Sequence, residues 1–518
     1  MVPSLLDRGA KLDPGRVAAV CGTDRLTYGD LRRAVEHAAA GLQALGVRRG
    51  DRVAVCLENS LEAVVAIFAI LEAGAVFVPV GRTVRAQKLT RIFVDCAPVA
   101  VFADSRMRSA VDDALALVAG VKALVLVGNI AQPPTLRIPT VSFDGLIERG
   151  ASESWTRPNG IDLDLAALIY TSGSSGHAKG VMLSHANILS ATESINGYLR
   201  NGPNDVILDV LPLSFDYGLY QLFLAFSSGA RLVLERAFVY QSELLELIKR
   251  ENVTGLPIVP TLAALLARHD LGAYDLSSLR YMTNTGASLP AAHIRLLRKS
   301  LPHVRLFSMY GLTECKRVSY LPPEEIDARP DSVGRPMDNV EVFVADEQGR
   351  LSVTGAGELV IRGSNVMQGY WGAPNETARV LKPGPFPGQS LLYSGDRFRI
   401  DADGYMYFEA RLDDMIKCRG QRVSPKEVEN ILYEIEGVTG ASVVGIPDEV
   451  LGTAIKARLS VDPAVVLTEH DVFRHCAAQL EDFMVPKEVE FVKSFPTTES
   501  GKIARRVPAA GSPEDTTT

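Results

Sequence analysis

The sequence predicts an α/β protein. A large N-terminal domain of parallel-rich sheets with covering helices, extended by a distorted β-barrel, is followed by a small C-terminal α+β domain. Three observations carry this expectation. The chain has 518 residues, more than one hydrophobic core sustains, so two or more domains are expected. Apolar strands alternate with helical periodicity from residue 26 onward, the pattern of βαβ units. After residue 333, closely spaced glycines punctuate short β-like runs, as in a barrel or hairpin array.

Within residues 26–47, Leu31, Val35, Ala39, Leu42 and Leu45 recur at helical spacing, and Gly46 marks the stop. Arg52–Cys56 reads as a strand, Ser60–Leu71 as a helix and Ala75–Val78 as a strand. A helix at Val84–Cys96, a strand at Val99–Phe102, a helix at Ala110–Val118 and a strand at Ala123–Val127 continue the rhythm. It resumes with strand Val206–Leu211, helix Gly218–Ser227, strand Arg231–Leu234, helix Ser242–Glu251 and strand Gly255–Val259. Tyr281–Thr285 and Val304–Met309 are strands that run into polar clusters. Such clusters at strand carboxyl ends are where open α/β sheets bind ligands. Four occur, at 170–181, 212–217, 283–286 and 309–314.

Tyr405–Arg411 reads as the last strand of the large domain, and Asp413–Asp414 as a charged breaker. The domains are expected at 1–411 and 412–518. The second holds helix Pro425–Ile435, strands Gly440–Ile446 and Lys456–Val461, helix His470–Leu480 and strand Lys487–Val492.

Composition excludes several classes. Hydrophobic residues make up 47% and charged residues 22%, an ordinary globular balance. The net charge of −7 gives no footprint of a nucleic-acid binder. The most apolar stretch, residues 61–80, is broken by Glu62, Glu72 and Pro79. It reads as a buried helix and strand, not a membrane span. The charged N-terminus lacks the apolar core of a signal peptide. Six scattered cysteines have no metal-finger spacing. A cytoplasmic protein without structural zinc is the expectation.

Residues 170–181 read YTSGSSGHAKGV. Small residues let backbone N–H groups and hydroxyls approach an oxyanion, and a lysine offsets its charge. Thr171, Ser172, Gly173, Ser174, Ser175, Gly176 and Lys179 would handle phosphate. The Walker spacing is absent, because Gly180 follows Lys179. A plain Gly/Ser surface turn is the alternative.

Together with LPLSFDYG (211–218), NTGASLP (284–290), MYGLTE (309–314), GELVIRGSNVMQGYW (357–371), the 393–429 segment and PTTESGKIARR (496–506), this loop resembles the adenylate-forming superfamily. That superfamily comprises acyl-CoA synthetases, peptide-synthetase adenylation domains and luciferase. The resemblance runs from Leu26 to Arg506, nearly the whole chain. It implies ATP and Mg²⁺, adenylation of a carboxylic acid with loss of pyrophosphate, then transfer of the acyl group to a thiol.

The resemblance also assigns roles. Lys502 would bridge carboxylate and phosphate during adenylation; a solvent lysine is the bland alternative. Thr313 would hold the α-phosphate, and Glu314 would serve catalysis and bind the metal. Tyr310 would stack on adenine, with Thr285 and Gly286 along its edge and Phe408 closing the other side or simply joining the core. Asp396 would take the ribose hydroxyls, or be an ordinary turn aspartate. Arg411 would add a ribose contact. Asp413 falls at the family's hinge position, where rotation swaps the catalytic face of the small domain. Lys417 and Gly420 would then line the thiol's approach. Cys418 has nothing obvious to activate it as a nucleophile.

Phe215, Asp216, Tyr217, Met282, Met309 and Val318 would shape the acid pocket. Leu219, Tyr220, Lys316 and Arg317 are further candidates. Asp216 resembles the aspartate that grips a substrate ammonium in amino-acid-activating relatives; an N-cap of the following helix is the alternative. A small, proline-like amino acid fits, as in stand-alone prolyl-type ligases of natural-product pathways. An acyl-CoA synthetase for a small fatty or aryl acid is the rival reading. The thiol arrives in trans, on a carrier protein or as CoA. Lys417, Arg419, Arg422 and Lys426 are candidates for a carrier-docking face.

Overall fold

The computed structural model describes residues 1–82, 84, 86–128, 138–153, 155–172, 178–235, 241–267, 269–287, 289–418, 421–448 and 452–495. Of Ser172, Lys417, Gln421 and Arg422 only the backbone is described. Among these residues, two large sheets, a half-barrel and a small C-terminal sheet organise the chain.

Helix Leu61–Glu72 shows how the core forms. Its side chains from Ala63 to Glu72 are all buried, and the Ser60 hydroxyl caps it by accepting from Ala63 N–H. A helix apolar on every side must lie between layers. The strand Val76–Pro79 follows it, buried throughout. Glu72 tolerates burial because Arg32 (3.0 Å) and Arg157 (2.7 Å) flank its carboxylate. No described helix is long and apolar enough to cross a membrane.

The first large sheet runs Arg335–Pro336, Ser319–Tyr320, Arg305–Tyr310, Tyr281–Asn284, Gly255–Ile258, Val206–Asp209, Arg231–Leu234, Val17–Cys21, Asp24–Thr27. Its central strands are parallel, with Ile258 opposite Asn284 and Asn284 opposite Ser308. Their carboxyl ends therefore meet on one side, and the polar clusters that follow them meet there too. The second sheet is parallel at its centre, where Arg52–Cys56 lies between Val76–Pro79 and Ala100–Asp104. At its edge, Leu165–Ser172 folds back antiparallel onto Ala178–Ser184. These two strands form a hairpin, with Thr171 paired to Lys179; residues 173–177 between them lie outside the described residues. The third sheet is antiparallel and contains Val340–Ala345, Gly355–Gly363, Ser390–Ile400 and Met406–Arg411. It is the distorted barrel expected from the glycine spacing.

Beyond strand Met406–Arg411 the chain builds a small α+β domain. Strands Val438–Asp448 and Gly452–Val461 pair antiparallel, and Glu488–Phe491 joins in parallel. Helices Pro425–Leu432 and Glu469–Gln479 cover them over a separate core including Val428, Leu432, Val443, Leu459 and Val472. Helix Pro425–Leu432 stops three residues short of the expected Ile435. Ser424 caps it and also donates to the Glu409 carbonyl, tying it to the preceding strand.

Candidate active site

A cavity of about 1420 Å³ opens where the carboxyl ends of the first sheet, the half-barrel and helix Pro425–Leu432 converge. The clusters at 214–217, 285–287 and 308–316 all contribute walls. So do Thr171 and Lys179 from the hairpin and Asp396, Phe408, Arg411 and Asp413 from the half-barrel edge and linker.

The wall on the half-barrel side is built on a glycine turn. Gly395 has φ +71°, a conformation that L side chains rarely adopt. The Ser394 hydroxyl accepts from Asp396 N–H at 3.1 Å and donates to Leu359 O at 2.8 Å, fixing that turn. Asp396 is thereby aimed inward, and the Tyr310 hydroxyl donates to its Oδ2 at 2.6 Å. Oδ1 is buried and has no hydrogen-bond partner; the Arg411 guanidinium stands 3.8 Å away. Burial pushes the Asp396 carboxyl up to about 6, against the pull of Tyr310 and Arg411. An unpartnered buried acceptor is costly, and a ligand hydroxyl would satisfy it. The Tyr310 ring lies 6.4 Å from Phe408 at an interplanar angle of 30°, with Phe398 edge-on at 4.6 Å. Thr285 and Gly286 line the same chamber.

The Arg411 Nε also donates to Asp413 at 2.9 Å. One guanidinium therefore faces both the inward aspartate and the linker aspartate. Leu412 N–H bonds to Gly395 O at 2.8 Å, so the linker begins anchored to the same turn.

On the hairpin side of the cavity, Lys179 Nζ pairs with Glu376 at 2.6 Å and lies 5.1 Å from the Tyr370 ring centre. The Tyr370 hydroxyl donates to Glu314 Oε1 at 2.8 Å, and Thr313 lines the cavity beside it. The described residues contain no cluster of three or more metal-ligating side chains. Glu314 offers one carboxylate to the cavity, beside Lys179 and Thr313. Mg²⁺ commonly binds through one or two carboxylates and the substrate's own oxygens, so this donor set fits it. Gly173, Ser174, Ser175, Gly176, Gly420 and Lys502 lie outside the described residues, as do the side chains of Ser172 and Lys417.

A third wall centres on Asp216 and Lys316. Phe215, not Asp216, occupies the N-cap position of helix Asp216–Ser228, and no side chain caps that end. The N-cap alternative for Asp216 is therefore set aside. Lys316 has φ +61°, rare for a residue with a side chain. That backbone sends its ammonium inward, where it donates to the Asp216 carbonyl at 2.7 Å. The same nitrogen is 3.7 Å from Asp216 Oδ2 and 4.4 Å from the Tyr220 ring centre. Burial pulls the Lys316 ammonium down to about 7, although Asp216 supports it. Tyr217 is fixed behind them by its hydroxyl bond to Thr283 O at 2.7 Å. Phe215 and Met309 also line the wall.

Four expected residues fall elsewhere. Met282 and Val318 do not line the cavity; both are buried in the core. Lys426 is not a surface residue: it is buried, donates to Phe408 O at 3.2 Å and lies 5.1 Å from the Phe408 ring centre. It lines the cavity here instead of standing exposed. Leu219 likewise packs in the core. Glu376 and Arg379 were not foreseen, because no motif marks helix Pro374–Val380 as part of the site.

The chain matches the family model described as AMP-binding enzyme over residues 6–371 and that of the AMP-binding enzyme C-terminal domain over 427–502. It is 33% identical to a feruloyl-CoA synthase from Amycolatopsis sp, over 96% of each chain. It is 32% identical to an L-proline–[L-prolyl-carrier protein] ligase from Streptomyces coelicolor, over 93% of this chain and 92% of that one. Among solved structures, the anthranilate CoA ligase AuaEII with anthranoyl-AMP superposes with a TM-score of 0.87 at 25% identity, covering 97% of this chain and 95% of that one. ATP-bound MatB from Rhodopseudomonas palustris gives 0.85 at 28% identity, covering 97% of both.

Proposed function

The chain belongs to the AMP-binding enzyme family and is an AMP-forming acid–thiol ligase, and we propose that its acid is a small amino acid of proline-like size, passed to the phosphopantetheine thiol of a separate carrier protein. One observation carries the choice of acid. The Asp216 carboxylate faces the cavity, and its nearest cation stands at 3.7 Å, beyond direct hydrogen-bond range. It keeps acceptor capacity for a substrate ammonium.

In the first step a carboxylate oxygen attacks the α-phosphorus, and the bond to pyrophosphate breaks. The approach of two anions must be offset. Lys179, Thr313 and Lys502 would supply charge and donors there. Glu314 would hold Mg²⁺ with phosphate oxygens, and the ion would neutralise charge on the leaving group. Asp396 would take a ribose hydroxyl at its unpartnered oxygen, with Arg411 beside it. Tyr310, Phe408, Thr285 and Gly286 would enclose the base. In the second step the small domain turns about Asp413, withdrawing Lys502 and presenting the 416–420 segment with Lys417 and Gly420. The thiol sulfur then attacks the acyl carbon and AMP leaves. Such a division excludes water from the first step and admits the thiol in the second. A cytoplasmic location, where ATP and reduced thiols coexist, suits this chemistry.

The second reading, a CoA ligase for a small fatty or aryl acid, is favoured by one observation. Lys316 already offsets much of the Asp216 charge, so a substrate cation is not required. ATP–pyrophosphate exchange with L-proline, glycine, other amino acids, benzoate and short fatty acids separates the two. Exchange confined to acids without an amine rejects the amino-acid reading. Loading of a holo-carrier protein against free CoA then decides the acceptor.

A further inference from the structure

Helix Pro374–Val380 brings Glu376 and Arg379 beside Lys179 at the hairpin side of the cavity. Both Glu376 carboxylate oxygens are engaged, each by a different cation. Oε2 takes Lys179 at 2.6 Å, and Oε1 takes Arg379 at 2.5 Å. Lys179 and Arg379 both line the cavity. The carboxylate thus bridges two cations as two oxygens of a phosphate would. It keeps its charge readily, because Lys179 and Arg379 hold its carboxyl below the usual range.

The helix is placed by short-range constraints. The Thr377 hydroxyl accepts from Tyr370 N–H at 2.9 Å and donates to Ala373 O at 3.0 Å. Gly369 has φ +132°, and a Cβ there would come within 2.8 Å of the Thr377 methyl. The bare glycine lets the helix sit against strand Gly369–Tyr370, which pairs with the hairpin strand that holds Lys179. Tyr370 in turn donates to Glu314. One rigid corner therefore gathers Lys179, Glu376, Arg379, Tyr370 and Glu314.

We propose that Glu376 is a built-in stand-in for phosphate, and that Lys179 and Arg379 form a clamp for the two terminal phosphates which Glu376 occupies when they are absent. This rests on the reading of Lys179 as a phosphate contact. When phosphate enters, Glu376 yields both cations, and the local charge facing the ligand rises by one unit. When pyrophosphate leaves, Glu376 returns to them, so neither cation is left unpaired in the cavity wall. Glu376 competes with the leaving group for its own binding site and favours its departure. Arg379 is a binding residue, and Glu376 sets how tightly that binding holds.

Calorimetric titration of the whole protein with magnesium pyrophosphate alone tests this without knowledge of the acid. The wild type is expected to bind. Arg379→Gln weakens binding about tenfold, the usual scale for one charge-assisted contact. Glu376→Gln removes the competitor's charge while keeping its shape, and tightens binding about tenfold by the same measure. Tightening is a change that damage to the fold does not produce. Product inhibition by pyrophosphate in the exchange reaction follows the same order. No measurable binding by the wild type, or affinities within twofold of it in both variants, overturns the proposal. Binding that changes as expected while no acid in the panel supports exchange leaves the clamp standing and rejects the ligase substrate reading instead.

Discussion

The Tyr310 hydroxyl donates to Asp396 Oδ2 at 2.6 Å, joining the end of a parallel strand of the first sheet to the half-barrel. Two sheets that are separate in strand pairing among the described residues are tied here by a part-buried O–H···O bond. The same bond leaves the other oxygen of Asp396 open to the cavity side.

Nucleotide affinity is expected to depend on Asp396 ionisation. Burial raises the carboxyl to about 6. Ribose hydroxyls donate to the charged form, so binding of a non-hydrolysable ATP analogue strengthens as pH rises through about 6 and weakens below it. The sign is reversed for folding. The raised value means that the folded state holds this proton more tightly than the unfolded chain. Its stability contribution is present below the ordinary carboxyl value and is lost as pH rises through about 6. Asp396→Asn is expected to flatten both profiles, read by calorimetry and by thermal unfolding from pH 4 to 8. Unchanged profiles in that variant reject the assignment.

Tyr310→Phe removes the donor that holds Asp396 charged. The midpoint of nucleotide binding is expected to move to higher pH, with a loss of about 1–2 kcal/mol of stability from the unpaired carboxylate. A profile that stays in place shows that the bond does not control the carboxylate.

Lys316→Met leaves Asp216 beside an apolar neighbour. Stability is expected to fall by roughly 3 kcal/mol, the lower end for orphaning one partner of a buried pair. The Lys316→Met/Asp216→Asn double variant is expected to regain part of that loss. Urea unfolding of the four proteins gives the coupling. Strict additivity removes the pair from the account.

Gly311→Ala is expected to open the turn at the end of strand Arg305–Tyr310. A Cβ there would stand 2.0 Å from the Lys316 carbonyl oxygen. The cost is about 3 kcal/mol, the upper range for forcing atoms into filled space. Tyr310 and Glu314 flank the strained segment, so nucleotide binding is lost with it. Full binding by this variant contradicts the expected clash.

Lys502→Ala is expected to slow pyrophosphate exchange about 10²–10³-fold, the scale for one electrostatic stabiliser. Transfer from a preformed adenylate to the thiol is expected to continue. Equal loss in both half-reactions points to damage beyond the adenylation step.

Much of the fold was legible, because it rests on short-range pattern. Strands Ala123–Val127 and Arg231–Leu234 fall at their expected bounds, and helix Leu61–Glu72 is displaced by one residue. Helix His185–Leu199 was not foreseen, since polar Asn187, Thr192 and Ser194 are buried along with its apolar residues and blur the stripe. Its Ser184–Asn187 capping box was the readable sign. In the site, ordered motifs pointed to Asp396, Tyr310 and Glu314, which do share one cavity. Met282 failed because alternation along a strand does not reveal which face meets the cavity when both faces are buried. Lys426 failed because burial of a charged side chain depends on a distant carbonyl, here that of Phe408. Glu376 was invisible for a related reason: its partner Lys179 lies 197 positions earlier.

The guanidinium of Arg411 lies between Asp396 and Asp413. On the proposed function, a sugar seated on the first aspartate and a turn of the backbone at the second would both draw on that single positive group. Departure of AMP and reorientation of the C-terminal lobe would then not be independent events, and a fluorophore on that lobe should register an occupied ribose seat that it never touches.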